Sequence, residues 1–323
     1  PSITTTFMPT PRSSTYHFFI ISAAAGIVKL NPAARPQFYP KCNPINIEPP
    51  SGAAVYYGLK RGRSMIIDFH THVFPDGIAQ KASTNIGKFY DIPTQFDGKL
   101  STLLEIGAAA GVSRYVIHSV ATTPGQTAAI NDFIAGICRE HPSVSGFATI
   151  HPDQEDMAGE IERSFAMGLG GVKIHSDMQR VALDDPRLFR LYEIIEGRAP
   201  LLAHTGDRRF DYSNPGRLLR VLDAFPRLTV IGAHFGGWSV WPEAVEALKG
   251  RNILVDCSSS FYALTPERSL ALIRAYGAER VLFGSDYPMW DPGAELDALR
   301  KLGLSPSEME LILHENAERL LGL

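Results

Sequence analysis

Cysteine is scarce in this chain. The three present, Cys42, Cys138 and Cys257, are odd in number and far apart, so they offer neither a disulfide framework nor a paired C-x-x-C zinc site. Such usage fits a reducing compartment and a cytoplasmic location. Surplus positive charge is missing too. Against 31 Lys and Arg stand 34 Asp and Glu, a net charge of -3, without the concentrated basic footprint of a nucleic-acid binder. The apolar run at 17–28 is too short to cross a bilayer as a helix. No glycine-rich phosphate turn follows the first strand-like run, which argues against an open dinucleotide-binding sheet. What is left is a globular protein acting on a small molecule, with no nucleic acid and no membrane as partner and a homodimer allowed.

Residues 1–64 differ from the rest. They hold 9 of the 23 prolines and seven basic residues against the single acid Glu48, whereas the remainder carries 24 basic and 33 acidic residues. This segment is read as an N-terminal extension, disordered or non-native. Export is the alternative, with residues 17–28 as signal core, Ala23–Ala25 as cleavage region and Arg12 as a thin basic flank.

From Met65 to Leu323, short β-branched runs alternate with longer stretches of helical period, the mark of βα units around a parallel sheet. Eight strands are expected, ending near His70, His118, Ile150, His175, His204, His234, Asp256 and Asp286. Helices are expected over 100–110, 127–140, 155–167, 186–197, 216–225, 242–249, 266–276 and 292–302. Asp185-Pro186, Thr265-Pro266, Asp291-Pro292 and Ser305-Pro306 each set a capping oxygen before a proline suited to the first helical position. Eight such units in 259 residues match a single-domain (β/α)8 TIM barrel, whose active sites lie at the carboxyl ends of the strands.

At those ends stand polar residues. His70 and His72, two apart on one strand, share a side and form half of a metal site. His204, His234 and Asp286 close later strand-like runs at the same rim. The chain here resembles the metal-dependent amidohydrolase superfamily, and within it the group that includes aminocarboxymuconate-semialdehyde decarboxylase. The resemblance rests on Asp68-Phe69-His70-Thr71-His72, Gly170 to His175, Leu202 to Thr205, Gly232 to Gly237, Phe283 to Pro288, and Glu315 to Leu321.

It implies that His70, His72, His204 and Asp286 bind one divalent metal and that His234 is an acid/base. Three imidazoles and a carboxylate suit Zn2+ with a position left for water, whose pKa would fall toward about 7. The expected reaction is hydrolysis of an ester, lactone or amide by that water, with Asp286 accepting its proton. Non-oxidative decarboxylation of a small unsaturated or aromatic acid is the alternative, and a non-catalytic metal-binding protein a third reading.

Lys173 and His175 share a face of the fourth strand. They are read as facing substrate or supporting the ligands, with a binuclear site bridged by carboxylated Lys173 as the lesser option. Arg208 and Arg209 could clamp a substrate carboxylate through their paired donors. Trp238, Trp241, Tyr287 and Trp290 could wall the pocket. His118 and His151 also end strands, but no motif accompanies them, and they are read as structural.

Overall fold

A computed structural model describes residues 65–323; Cys42, the run at 17–28 and the rest of the extension lie outside the described residues. Parallel strands follow one another in chain order: β1 (Ile67–His72), β2 (Arg114–His118), β3 (Val144–Gly146), β4 (Ala148–Thr149), β5 (Val172–Ile174), β6 (Leu201–Ala203), β7 (Val230–Gly232), β8 (Leu254–Asp256) and β9 (Val281–Leu282). β3 and β4 are one strand interrupted at Phe147, whose N–H donates to Ile117 of β2 at 3.0 Å while the Ala148 N–H turns to Gly171 at 2.8 Å. The count is therefore the expected eight.

The cylinder closes between its first strand and the segment after β9. Phe69 N–H donates to Phe283 O at 2.9 Å, Asp286 N–H to His70 O at 2.8 Å, and His72 N–H to Tyr287 O at 2.7 Å. Closure removes the unpaired edges that an open sheet would expose, and the result is a TIM barrel.

Around it run α1 (Asp76–Tyr90), α2 (Leu100–Ala110), α3 (Thr127–Glu140), α4 (Met157–Ala166), α5 (Ser176–Gln179), α6 (Pro186–Ile195), α7 (Pro215–Ala224), α8 (Trp241–Leu248), α9 (Pro266–Tyr276), α10 (Pro292–Arg300), α11 (Pro306–Glu310) and α12 (Asn316–Leu321). The expected caps form. Asp185 accepts from Arg187 N, Thr265 from Arg268 N, Asp291 from Gly293 N and Ser305 from Glu308 N. Each satisfies a donor that the helix itself leaves open. No helix among the described residues is long and apolar enough to cross a membrane.

Two apolar layers hold the assembly. A small inner cluster, with Ile67, Phe69, Val116, Phe147, Leu202, Ile231 and Leu282, plugs the barrel, and Phe69 meets Phe147 edge-on at 5.7 Å. The larger layer lies between strands and helices. Regular alternation along β1 would turn Phe69 and His70 to opposite faces. The register of β1 against β2 shifts between Asp68 and Thr71, and such an irregularity re-aims side chains. Phe69 can then serve the plug while His70 and His72 stand at the rim above it.

Candidate active site and metal centre

The rim is organised from β1, β5, β6, β7, β8 and the segment after β9. His70 and His72 present Nε2 to Asp286 Oδ1 at 3.4 and 3.3 Å. Asp286 stands four residues beyond β9, at φ 60°. Its N–H is tied to His70 O, so the loop rather than a continued strand delivers the carboxylate. Gly284 makes the approach feasible, since a Cβ there would stand 2.7 Å from His70 Cβ. Asp286 Oδ2 accepts from Ser259 Oγ at 2.5 Å, and Trp290 Nε1 donates to that hydroxyl at 2.8 Å. Burial raises the Asp286 carboxyl, but the charges of His70 and His234 and the bond to His72 override it, leaving the group well below the usual carboxylate range.

Asp256, noted in the sequence only as a strand end, is central to this arrangement. Its Oδ2 lies 2.8 Å from His70 Nδ1, and its Oδ1 accepts from His234 N at 3.1 Å, Ser258 N at 3.1 Å and Ser258 Oγ at 2.5 Å. Its burial is likewise offset by His70, so Asp256 stays ionised. A carboxylate on Nδ1 fixes the hydrogen there and leaves the Nε2 lone pair facing Asp286, the way metal-binding histidines are oriented. A second signal was legible: Asp256 closes its strand just as the site residues close theirs.

His204 and His234 form a separate pair. His204 Nδ1 and His234 Nε2 are 3.1 Å apart; His204 Nε2 faces Gly206 O at 3.0 Å, and His234 Nδ1 faces Ser258 O at 3.1 Å. His204 also stacks on His175, with centroids 3.9 Å apart and planes 7° from parallel. Its Nε2 lies 3.6 Å from Asp177 Oδ2. The structure thus joins His204 to His234, His175 and Asp177, while Asp286 meets His70 and His72. The ring of His234 stacks on that of His70 at 5.1 Å, which links the two groups.

Lys173, fully buried on β5, puts Nζ 3.2 Å from His70 Nε2. Among the described residues no carboxylate lies within ion-pair distance of it. Burial pushes its ammonium down to about 8, against the pull of Asp256 and Asp286. His175 has its Nε2 2.6 Å from the Tyr90 hydroxyl, and its Nδ1 accepts from Met178 N at 3.4 Å, capping α5.

Desolvation lowers the imidazoles as a set. His70 is pushed down to about 4, and His72, His118, His175 and His204 move the same way. Neutral rings keep the lone pairs that a metal needs. Among the described residues, three groups of donors lie close enough to hold an ion: His70, His72 and His118; His70, His234 and Asp256; His175, Asp177 and His204. Imidazole nitrogens beside carboxylate oxygens suit a divalent transition metal. Asp177 Oδ1 and both nitrogens of His118 are buried with no hydrogen-bond partner among the described residues.

A cavity of about 670 Å³ opens over the rim and is lined by His70, His72, Lys173, His175, His204, His234 and Asp286. Its other walls are mostly apolar: Phe74, Ile78, Ile86 and Phe89 from α1 and the loop before it, Ile130 and Phe133 from α3, Met178 and Met289. Arg208 and Arg209 instead line a neighbouring cavity of about 920 Å³ with Trp238, Trp241 and Tyr262. The Arg209 fork is already taken by Asp207, at 2.9 and 2.6 Å, and its guanidinium lies over Phe89, Tyr90, Phe210 and Trp238. Tyr287 is fully buried, its hydroxyl donating to Lys99 O at 2.8 Å. The aromatic wall expected from the late loops is supplied by α1 and α3.

The fold and this rim define a (β/α)8 enzyme of the amidohydrolase superfamily, built to hold a divalent metal. The chain belongs to the amidohydrolase family, whose model matches residues 67–323. Among solved structures it is similar to an uncharacterised TIM-barrel protein of Bordetella bronchiseptica, 23% identical over 80% of this chain and 98% of that one, with a TM-score of 0.66. It is similar as well to the 5-carboxyvanillate decarboxylase of Sphingomonas paucimobilis, 18% identical over 80% and 99%, TM-score 0.62. A dihydroxybenzoic acid decarboxylase of Polaromonas sp. JS666, with bound manganese and 2-nitroresorcinol, is 16% identical over 80% and 97%, TM-score 0.64. No curated protein matches.

Proposed function

We propose that this protein is a metal-dependent, non-oxidative decarboxylase of a small aromatic or unsaturated carboxylic acid. The observation that carries the reading is the cavity itself: apolar and aromatic walls over a floor that holds a buried ammonium, Lys173, in contact with His70 and with no carboxylate at ion-pair distance among the described residues. Flat apolar walls favour a ring, and a buried cation without a counter-ion favours a carboxylate beside it. Two of the solved structures of similar fold are decarboxylases of aromatic acids, which supports this reading over the hydrolysis expected first.

His70, His72 and Asp286 would hold the cation. One ion is proposed, zinc by its donor set, with manganese as the competitor because one decarboxylase of similar fold binds it. When bound it supplies positive charge that draws substrate oxygens and offsets negative charge as the carbon–carbon bond breaks. Lys173 acts as an uncarboxylated ammonium rather than as a carboxylated bridge.

The acid is the His204–His234 pair. Both outer nitrogens face carbonyl oxygens, which only accept, and Ser258 Oγ already gives its hydrogen to Asp256. Each outer nitrogen therefore carries a hydrogen. With both rings neutral, the 3.1 Å contact between the inner nitrogens sets two lone pairs face to face, and a proton taken up between them is the mobile one. It passes to the ring or alkene carbon bearing the carboxylate, the bond to that carboxylate breaks, and carbon dioxide leaves with the electron pair returned to the ring or alkene. Apolar walls keep water from competing for the proton.

A panel of hydroxylated benzoates, unsaturated acids and lactones tests the assignment. Carbon dioxide release from at least one acid is expected, abolished by chelation and reduced at least about a hundredfold in His234→Ala. Lactone opening with no gas from any acid would return the assignment to hydrolysis.

A further inference from the structure

The cavity of about 920 Å³ beside the rim shares Tyr90 with the cavity over it. Aromatic rings line it. Trp241 spends its only N–H on His234 O at 3.1 Å, so what it adds to the lining is an apolar ring. Trp238 meets Tyr90 edge-on at 5.0 Å, and Tyr262, 42% exposed, stacks on Trp290 at 4.6 Å with planes 20° apart. Three arginines border the same space, and they are not alike. Arg209 is engaged by Asp207 and by Phe89 O. Arg208 is held through its backbone N–H by Ser239 Oγ at 3.0 Å, and Arg268 caps against Thr265 through its own. Among the described residues neither of these two guanidiniums has an ion pair or a hydrogen bond. The lining contains a single acid, Asp91, and it pairs with neither. One unpaired arginine on a surface means little. Here two, from the loop after β6 and from α9, border one aromatic recess and leave it positive.

We propose that this outer cavity is a second binding site, for a planar aromatic carboxylate, with Arg208 and Arg268 taking the carboxylate and Trp238, Trp241 and Tyr262 taking the ring. A guanidinium presents two parallel donors to a carboxylate, and aromatic side chains pack against a flat ring. The volume is that of a small-molecule site. An inorganic anion would leave the indoles without a partner, and a neutral ring would leave the guanidiniums without one. Arg208 thus keeps the carboxylate recognition expected of it, but outside the catalytic cavity. The inference uses no residue of the metal centre and does not draw on the reaction assigned to the rim.

Binding of radiolabelled salicylate to the whole protein is counted by equilibrium dialysis, with the uncharged salicylamide as competitor. Two sites per chain are expected, one in each cavity. Arg208→Gln combined with Arg268→Gln should weaken one of them at least about tenfold and leave the other, which Lys173→Met removes. Salicylamide should not displace salicylate from the site that depends on the arginines. Both exchanged side chains are exposed, so the double variant keeps its fold, as circular dichroism would verify. A single site that is lost with the arginines and survives Lys173→Met would uphold the outer cavity and sink the carboxylate role given to Lys173. The proposal falls if salicylamide competes equally at the arginine-dependent site. It falls too if the arginine changes leave number and affinity as they were, whether nothing binds there or a second copy of the chain covers the cavity, which sedimentation would show.

Discussion

Glu295 shows how costly a single buried side chain can be. It sits in α10, mostly buried, with Oε2 unmatched. Burial first, and then the charges of Asp286, Asp68 and Asp291, push its carboxyl well above the ordinary carboxylate range. The folded state thus keeps a proton that the unfolded chain releases. Stability is fully present below the unfolded carboxyl pKa and declines as pH rises toward the raised folded value. Glu295→Gln removes that loss. Its melting temperature should match the wild type in acid and exceed it at neutral pH, by about 2–4 °C for each kcal/mol recovered. A difference that does not grow with pH would contradict the burial argument. At this scale the sequence was informative about identity and silent about partnership. His70, His72, His234 and Asp286 could be picked out from position and type, whereas the hydrogen bond from His70 to Asp256 and the unmatched nitrogens of His118 exist only once eight strands stand side by side.

Among the elements, helices with strong punctuation were legible. The aspartate, threonine and serine caps before proline set the starts of α6, α9, α10 and α11 to the residue. α1 was not legible. Pro75 gives it no side-chain cap, and the residues it buries are Ala79, Ser83 and Gly87, a stripe too small to register as an apolar face. Yet α1 and the loop before it supply much of the cavity wall, so the aromatic lining was sought in the wrong loops. The end of the last strand was overrun for a related reason. Phe283 to Asp286 keeps an extended-looking composition, but Asp286 takes positive φ, which pattern alone does not reveal. α2 offers a test of element packing. Gly107 faces β2 so closely that a Cβ would come within 2.2 Å of the Tyr115 hydroxyl. Gly107→Ala should therefore destabilise by about 1–3 kcal/mol through overpacking, despite the better helix propensity of alanine. Denaturant melts would show it; a more stable variant would mean that Tyr115 swings aside freely.

For the molecule as a whole, eight alternating units in 259 residues sufficed to anticipate the barrel. Its closure could not be read, because it depends on three backbone bonds between β1 and residues 283–287. Gly284 sits in that seam, and its absent Cβ leaves room for His70. Gly284→Ala should lower the melting temperature and weaken metal binding together, by about tenfold or more for the latter, since one displacement separates both the seam and the pair His70 and Asp286. Calorimetry with and without metal would read both effects. A fall in stability with unchanged affinity would mean that the seam and the donor set are independent.

The same seam dictates an order of events as the chain leaves the ribosome. Two imidazoles emerge early and wait through more than two hundred residues for Asp286, so a nascent chain that has not yet passed it lacks the carboxylate of the proposed site. On the proposed donor set, metal capture comes after the ring shuts, and a truncated product lacking the last strand is left without that site.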